Sequence, residues 1–183
     1  MGYTKIEWTD RVWNPVTGCT KVSAGCKNCY AERLFHRPYP GRDFTDVRTH
    51  PERLDQPLRW RRPCRIFVNS MSDLFHEMIN LDFIDRVWQT MMAAPQHTYQ
   101  VLTKRPQRLL DYLSGATVGG RAHRRTAPNW IWLGVSVEDQ PTADERIPLL
   151  LQTPAAVRLV SYEPALGPVD FYHFLGELDW VIA

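Results

Sequence analysis

Thr98-Tyr99-Gln100-Val101-Leu102-Thr103-Lys104-Arg105-Pro106-Gln107-Arg108-Leu109-Leu110-Asp111-Tyr112-Leu113-Ser114-Gly115 is the stretch on which the fold turns. Its first five residues are rich in β-branched and aromatic side chains and read as a buried strand. Pro106 then suits the first position of a helix, Leu109, Leu110 and Leu113 follow, and Ser114-Gly115 stops it. Strand, polar turn and helix in succession are the repeating unit of a parallel sheet with right-handed crossovers.

The same alternation runs outward in both directions. Further strands are predicted at 65–69, 130–135, 157–161 and 179–183. Asp82 can cap a helix with Phe83, Ile84, Val87, Trp88, Met91 and Met92 on one core-facing side, and Pro95 lies just past its end. Residues 142–152 form another helical stretch, which Pro148 is expected to kink or split. Nearer the N-terminus a first strand is predicted at 13–17 and a short helix at 30–36, with a weaker strand at 46–49 and a helix at 51–60.

These elements predict an α/β fold with parallel strands and outer helices, a partial or truncated (βα) barrel in one domain spanning 1–183. A full eight-fold barrel takes about 250 residues. The chain has 183 and ends in the apolar strand 179–183 with no covering helix, so a fragment lacking its C-terminal strand or strands is expected.

Hydrophobic residues make up 44% and charged residues 23%, which excludes a disordered chain. No apolar run approaches the roughly 18 residues of a membrane helix, and the charged first ten residues lack a secretory signal. No membrane partner is expected, and the default location is the cytoplasm. The net charge of +2 hides an uneven spread. Residues 1–65 hold 13 basic and 7 acidic side chains, residues 104–125 hold 6 and 1, and residues 138–183 hold 2 and 8. Arg supplies 18 of the 22 basic residues, so either a phosphate-bearing partner or a solvated Arg-rich surface fits.

The sharpest motif is Gly18-Cys19-Thr20-Lys21-Val22-Ser23-Ala24-Gly25-Cys26-Lys27-Asn28-Cys29-Tyr30, with the spacing C-x6-C-x2-C. It lies between the first predicted strand and a helix. In a cytoplasmic chain such thiols read as metal, cluster or redox ligands before disulfides. Cys19, Cys26 and Cys29 are the candidate ligands, and Gly18 and Gly25 let the loop bend. Cys64 starts a strand, at the opposite end of a parallel sheet, and reads as a buried structural thiol. Two closures stay open. An iron–sulfur cluster held by three thiolates leaves one iron free, whereas His36 or His50 would complete a Cys3His zinc site.

Ile6-Glu7-Trp8-Thr9-Asp10, Trp13-Asn14-Pro15, the cysteine loop, Phe67-Val68-Asn69-Ser70-Met71-Ser72-Asp73-Leu74-Phe75, Leu102-Thr103-Lys104-Arg105-Pro106, Leu133-Gly134-Val135-Ser136 and Ser161-Tyr162-Glu163-Pro164 occur together here. In this the chain resembles the phage gene-product thirty-seven/sixty-eight family, a domain of unknown function. The resemblance spans essentially the whole chain. It implies a radical S-adenosylmethionine-type (βα) barrel, a [4Fe–4S] cluster on Cys19, Cys26 and Cys29, S-adenosylmethionine as cofactor, a reductant protein and an unknown substrate. The commonest loop of that superfamily is C-x3-C-x2-C with an aromatic residue before the third cysteine. Here the first spacer has six residues, and Tyr30 follows Cys29.

Sites in parallel sheets form at the carboxyl ends of strands. Those ends carry Asn69, Ser70, Ser72 and Asp73, then Thr103, Lys104 and Arg105, then Ser136 and Glu138, then Ser161 and Glu163. Lys104 or Arg105 suits a carboxylate or phosphate. Asp73, Glu138 or Glu163 suits a ribose or amino group, and Ser136 can orient either. His76 and Glu77 fit the rim or a solvated loop equally. His97, His123 and His173 lack partner spacing and read as structural or exposed. The competing function is a phage nucleic-acid-associated protein whose metal loop is structural, motivated by Arg59-Trp60-Arg61-Arg62 and the basic loop at 121–126.

Overall fold

Strands and helices alternate along the chain in the computed structural model, which describes residues 4–115 and 125–183. The chain divides into two compact units, Met1–Val101 and Leu102–Ala183. Most of the predicted basic loop, with Gly119, Gly120 and His123, lies outside the described residues.

The first unit contains β1 (Arg11–Trp13), β2 (Val16–Thr17), α1 (Tyr30–Phe35), β3 (Arg48–Thr49), β4 (Arg65–Val68), α2 (Leu81–Ala93) and most of β5 (Thr98–Thr103). β1 pairs in parallel with β4, Trp13 opposite Val68, and β4 with β5, Val68 opposite Val101. The strand expected at 13–17 is two strands, and β2 leaves to pair antiparallel with β3. Asn14-Pro15 causes the break. Proline has no N–H for the ladder, and the Asn14 Oδ1 accepts from Ser70 Oγ at 3.2 Å and Met71 N at 3.1 Å.

The helix expected at 51–60 is two short 3-10 turns, Pro51–Arg53 and Pro57–Arg59, each opened by its own proline. α2 is capped by Asn80, not Asp82: the Asn80 side chain accepts from Phe83 N at 2.8 Å. Phe83, Ile84, Val87, Trp88 and Met91 are buried as expected. Met92 is 43% exposed and turns past the edge of that stripe, so it is not core.

The second unit contains the end of β5, α3 (Pro106–Ser114), β6 (Ala127–Ser136), α4 (Gln140–Gln152), β7 (Ala155–Ser161) and β8 (Trp180–Ile182). β6 runs parallel to β7 from Trp132 opposite Val157 to Ser136 opposite Ser161, and β7 runs parallel to β8. Gly134 is required here. A Cβ at that position would stand 2.5 Å from the Leu159 carbonyl oxygen and 2.6 Å from its Cγ. α4 opens with a capping box between Asp139 and Thr142 and continues through Pro148 unsplit. Side chains support its last turn: Gln152 Nε2 donates to the Pro148 carbonyl at 3.0 Å, and the Thr153 hydroxyl to that of Leu149 at 2.8 Å.

The parallel sheet has six strands in the order β1-β4-β5-β6-β7-β8. The expected parallel α/β architecture is present. No closure into a barrel is found among the described residues, because no pairing joins β8 to β1. No helix among those residues is long and apolar enough to cross a membrane.

Candidate functional site

The cysteine loop leaves β2 under tight backbone control. Gly18 N donates to the Met71 carbonyl at 3.1 Å and Cys19 N to that of Phe44 at 2.8 Å. Gly18 has φ +87°, and a Cβ there would lie 2.6 Å from the Asp46 carbonyl oxygen, so only glycine fits. Gly25 instead sits in a 3-10 turn, Ala24–Cys26, and has no positive φ. Cys29 precedes α1 as its cap residue.

Cys19, Cys26 and Cys29 are half-buried and none is in a disulfide. Cys19 Sγ donates to the Thr20 carbonyl at 3.5 Å, and Cys26 Sγ lies 3.8 Å from Ser23 Oγ. Cys19 and Cys29 also pack on the buried cluster of Ala31, Phe35 and Phe44. Among the described residues no three His, Cys, Asp or Glu side chains are already gathered as a metal cage. The donor chemistry suits an iron–sulfur cluster nonetheless: three half-buried thiols, none in a disulfide, on a single loop.

The segment that follows β4 is bound directly to this loop. Ser72 Oγ donates to the Val16 carbonyl at 2.9 Å, and the Tyr30 hydroxyl donates to that of Ser70 at 2.8 Å. Asn69 holds the turn with φ +64°, a left-handed conformation that Asn tolerates better than most residues. Its N–H donates to the Trp13 carbonyl at 2.8 Å, and its Oδ1 accepts from Val16 N at 3.2 Å. Asn69 is 3% exposed, yet its Nδ2 has no hydrogen-bond partner. Asp73 folds onto its own segment, its Oδ1 accepting from Phe75 N at 2.9 Å. Ser70 and Ser72 therefore touch the two ends of the thiol loop, through Tyr30 and through the bridge of Ser72 to Gly18, whereas Asn69 bonds Trp13 and Val16 ahead of it.

His76, weighed as a rim residue, is 2% exposed and reaches Thr20 Oγ1 at 2.8 Å. The two histidines of the alternative zinc closure behave differently. His36 is exposed. His50 bonds Thr17 Oγ1 at 2.8 Å through Nε2 and Glu52 Oε1 at 2.9 Å through Nδ1, and burial holds its pKa below the usual imidazole value. Cys64 lies before β4, at the other end of that strand. It is half-buried rather than fully buried, its Sγ is 3.4 Å from His97 Nδ1, and burial pushes its thiol pKa up.

In the second unit Glu138 is 0% exposed and takes two cations on one oxygen, Lys104 Nζ at 3.1 Å and Arg146 at 3.3 Å. Arg146 also donates to the Ser136 carbonyl at 2.7 Å. Arg146 belongs to no motif in the sequence. Its signal was a charged residue on the same helical face as Ala143, Ile147 and Leu150, all buried. Glu163 is exposed and accepts from Ser161 Oγ at 3.2 Å. Lys104 and Glu138 are thus brought together as an ion pair.

A family described as "Protein of unknown function (DUF5131)" matches residues 3–183, so the chain belongs to that family. No curated protein and no solved structure matches it.

Proposed function

We propose that this member of a family of unknown function is a radical S-adenosylmethionine-like iron–sulfur protein, with Cys19, Cys26 and Cys29 as thiolate ligands of a [4Fe–4S] cluster. One observation carries the reading. The three-thiol loop lies at the carboxyl end of β1 and β4 and is hydrogen-bonded to the polar segment that follows β4. Carboxyl ends of parallel strands are where such folds bind cofactors.

The bound cluster and S-adenosylmethionine would supply one-electron cleavage of the sulfonium bond; this chain's residues hold and orient. Asn69 is the leading candidate to donate a hydrogen bond to the cofactor, because a buried amide N–H without a partner is costly unless a ligand accepts from it. Ser70 and Asp73, on the same segment after β4, are the further candidates for polar groups of the cofactor. The substrate is unassigned, a nucleotide or nucleic acid being consistent with the Arg-rich segments, and a reductant protein is required.

Anaerobic reconstitution with iron and sulfide tests the proposal. The expected product is brown, with about four irons and four sulfides per chain, and Cys19→Ala, Cys26→Ala or Cys29→Ala abolishes it. A colourless product holding zinc and no sulfide overturns the reading. With the cluster in place, S-adenosylmethionine and a reductant should yield 5′-deoxyadenosine. Its absence would leave a cluster-binding module without radical chemistry.

A further inference from the structure

The opposite end of β4 carries charge instead of thiols. Between the turn Pro57–Arg59 and β4 the chain reads Trp60-Arg61-Arg62-Pro63-Cys64. Arg61, Arg62 and Pro63 are exposed. The Arg59 side chain is 73% exposed and pairs with Asp55, and Arg65 lies 3.6 Å from Asp10. Arg11, which opens β1, lays its guanidinium 5.0 Å over the Trp60 ring. Five guanidiniums here stand against two carboxylates. Arg61 and Arg62 form no ion pair among the described residues.

We propose that this surface, centred on Arg61 and Arg62 and flanked by Arg11, Arg59 and Arg65, docks the phosphate backbone of a nucleic acid. Guanidinium forks match phosphate oxygens. Two adjacent exposed forks without a carboxylate partner are complementary to a ligand with closely repeated anions, which a phosphodiester chain provides. Arg11 lies over one face of the Trp60 ring and His97 stands at 75° to it, so the ring is engaged within the fold. Recognition therefore rests on the backbone and is indifferent to sequence. A lipid surface fits less well, because Leu58 is the one exposed large hydrophobic residue in this segment, and anchoring of this kind needs buried apolar area as well as charge.

The position gives the surface its role. The four residues of β4 separate Cys64 from Asn69, five steps along the strand or about 16 Å. A nucleic acid held by Arg61 and Arg62 is therefore docked at the amino end of β4, away from the thiol loop. The patch is a binding surface and not part of the reacting centre, and it stands whether or not the loop binds a cluster.

The test uses the full chain and a fluorescein-labelled single-stranded 20-mer, followed by anisotropy between 50 and 200 mM salt. Binding should weaken steeply with salt. Arg61→Ala/Arg62→Ala should weaken it about tenfold or more at low salt and flatten the log–log salt slope by about 1.4, two contacts at about 0.7 each. Arg61→Lys/Arg62→Lys should keep most of the slope, since the charges remain. Both positions are exposed, and circular dichroism confirms that the variants fold. No binding by the wild-type chain at 50 mM salt overturns the proposal. So does binding that is salt-independent, or unchanged in the double Ala variant, which would move the site elsewhere. Tighter association with phosphatidylserine vesicles than with the 20-mer would reassign the surface to a membrane. Cluster content should be equal in all variants, so the outcome is separable from the iron–sulfur reading.

Discussion

His76 donates its Nε2 proton to the Thr20 hydroxyl across 2.8 Å, tying the residue next to Cys19 to the segment after β4. The direction follows from the other ring nitrogen. Met78 N donates to Nδ1 at 3.2 Å, so Nδ1 carries the lone pair and Nε2 the proton. His76→Ala removes a buried partner and should cost about 1–3 kcal/mol, read as a fall in melting temperature of about 2–4 °C per kcal/mol. Iodoacetamide labelling of Cys19 should quicken. His76→Gln, which keeps a donor, should recover part of both. Unchanged melting and labelling in His76→Ala would show that this contact does not hold the loop.

Asn69 combines a left-handed backbone with a side chain that accepts from Val16 N. Asn69→Ala loses the acceptor and places a Cβ residue that favours this conformation less, for a combined cost of about 2–3 kcal/mol. Asn69→Gly loses the same bond but relieves the backbone, and should cost less. Urea denaturation ranks the three proteins. Equal midpoints for Ala and Gly would remove the backbone part of the argument.

Glu138 is the fully buried partner of two cations. Glu138→Ala leaves Lys104 and Arg146 facing each other without their shared anion, and should cost about 3–5 kcal/mol. Lys104→Met should cost less, because Arg146 stays to pair the carboxylate. If Lys104→Met proves the more damaging by chemical denaturation, Arg146 is not the main counter-charge.

His50 sets a pH dependence. Burial depresses its pKa, the nearby Arg53 and Arg42 act in the same direction, and Glu52 opposes them. The unfolded chain therefore binds a proton more readily than the folded one. Its contribution to stability is fully present above the ordinary imidazole value, near 6.5, and is lost as pH falls through that value toward the depressed one. Melting temperatures between pH 8 and pH 5.5 should fall in the wild type and fall less in His50→Gln. Parallel curves would exclude His50 as the titrating group.

The alternation of elements and the identity of the thiols are legible in the amino-acid order alone. Apolar runs at 98–102, 130–135 and 157–161, rich in β-branched and aromatic residues, read as strands, and β5, β6 and β7 contain them. Such patterns are local, set by side chains whose burial repeats with the period of their own element. The spacing of Cys19, Cys26 and Cys29 was equally plain, and so was the polarity of the strand ends.

Tertiary structure decided what depends on distant backbone. Asn14-Pro15 splits a strand because residues 70 and 71 take the Asn14 side chain. Gly134 is obligatory because Leu159 presses on it, and Gly18 because Asp46 and Phe44 do. Arg146 became a partner of Glu138, and His76 a support of the thiol loop, through contacts 8 and 56 residues apart in the chain. Residue type and spacing encode which groups are available, whereas the packing of separate segments fixes which atoms meet, and that is set by the sum of many weak contacts rather than by any one stretch.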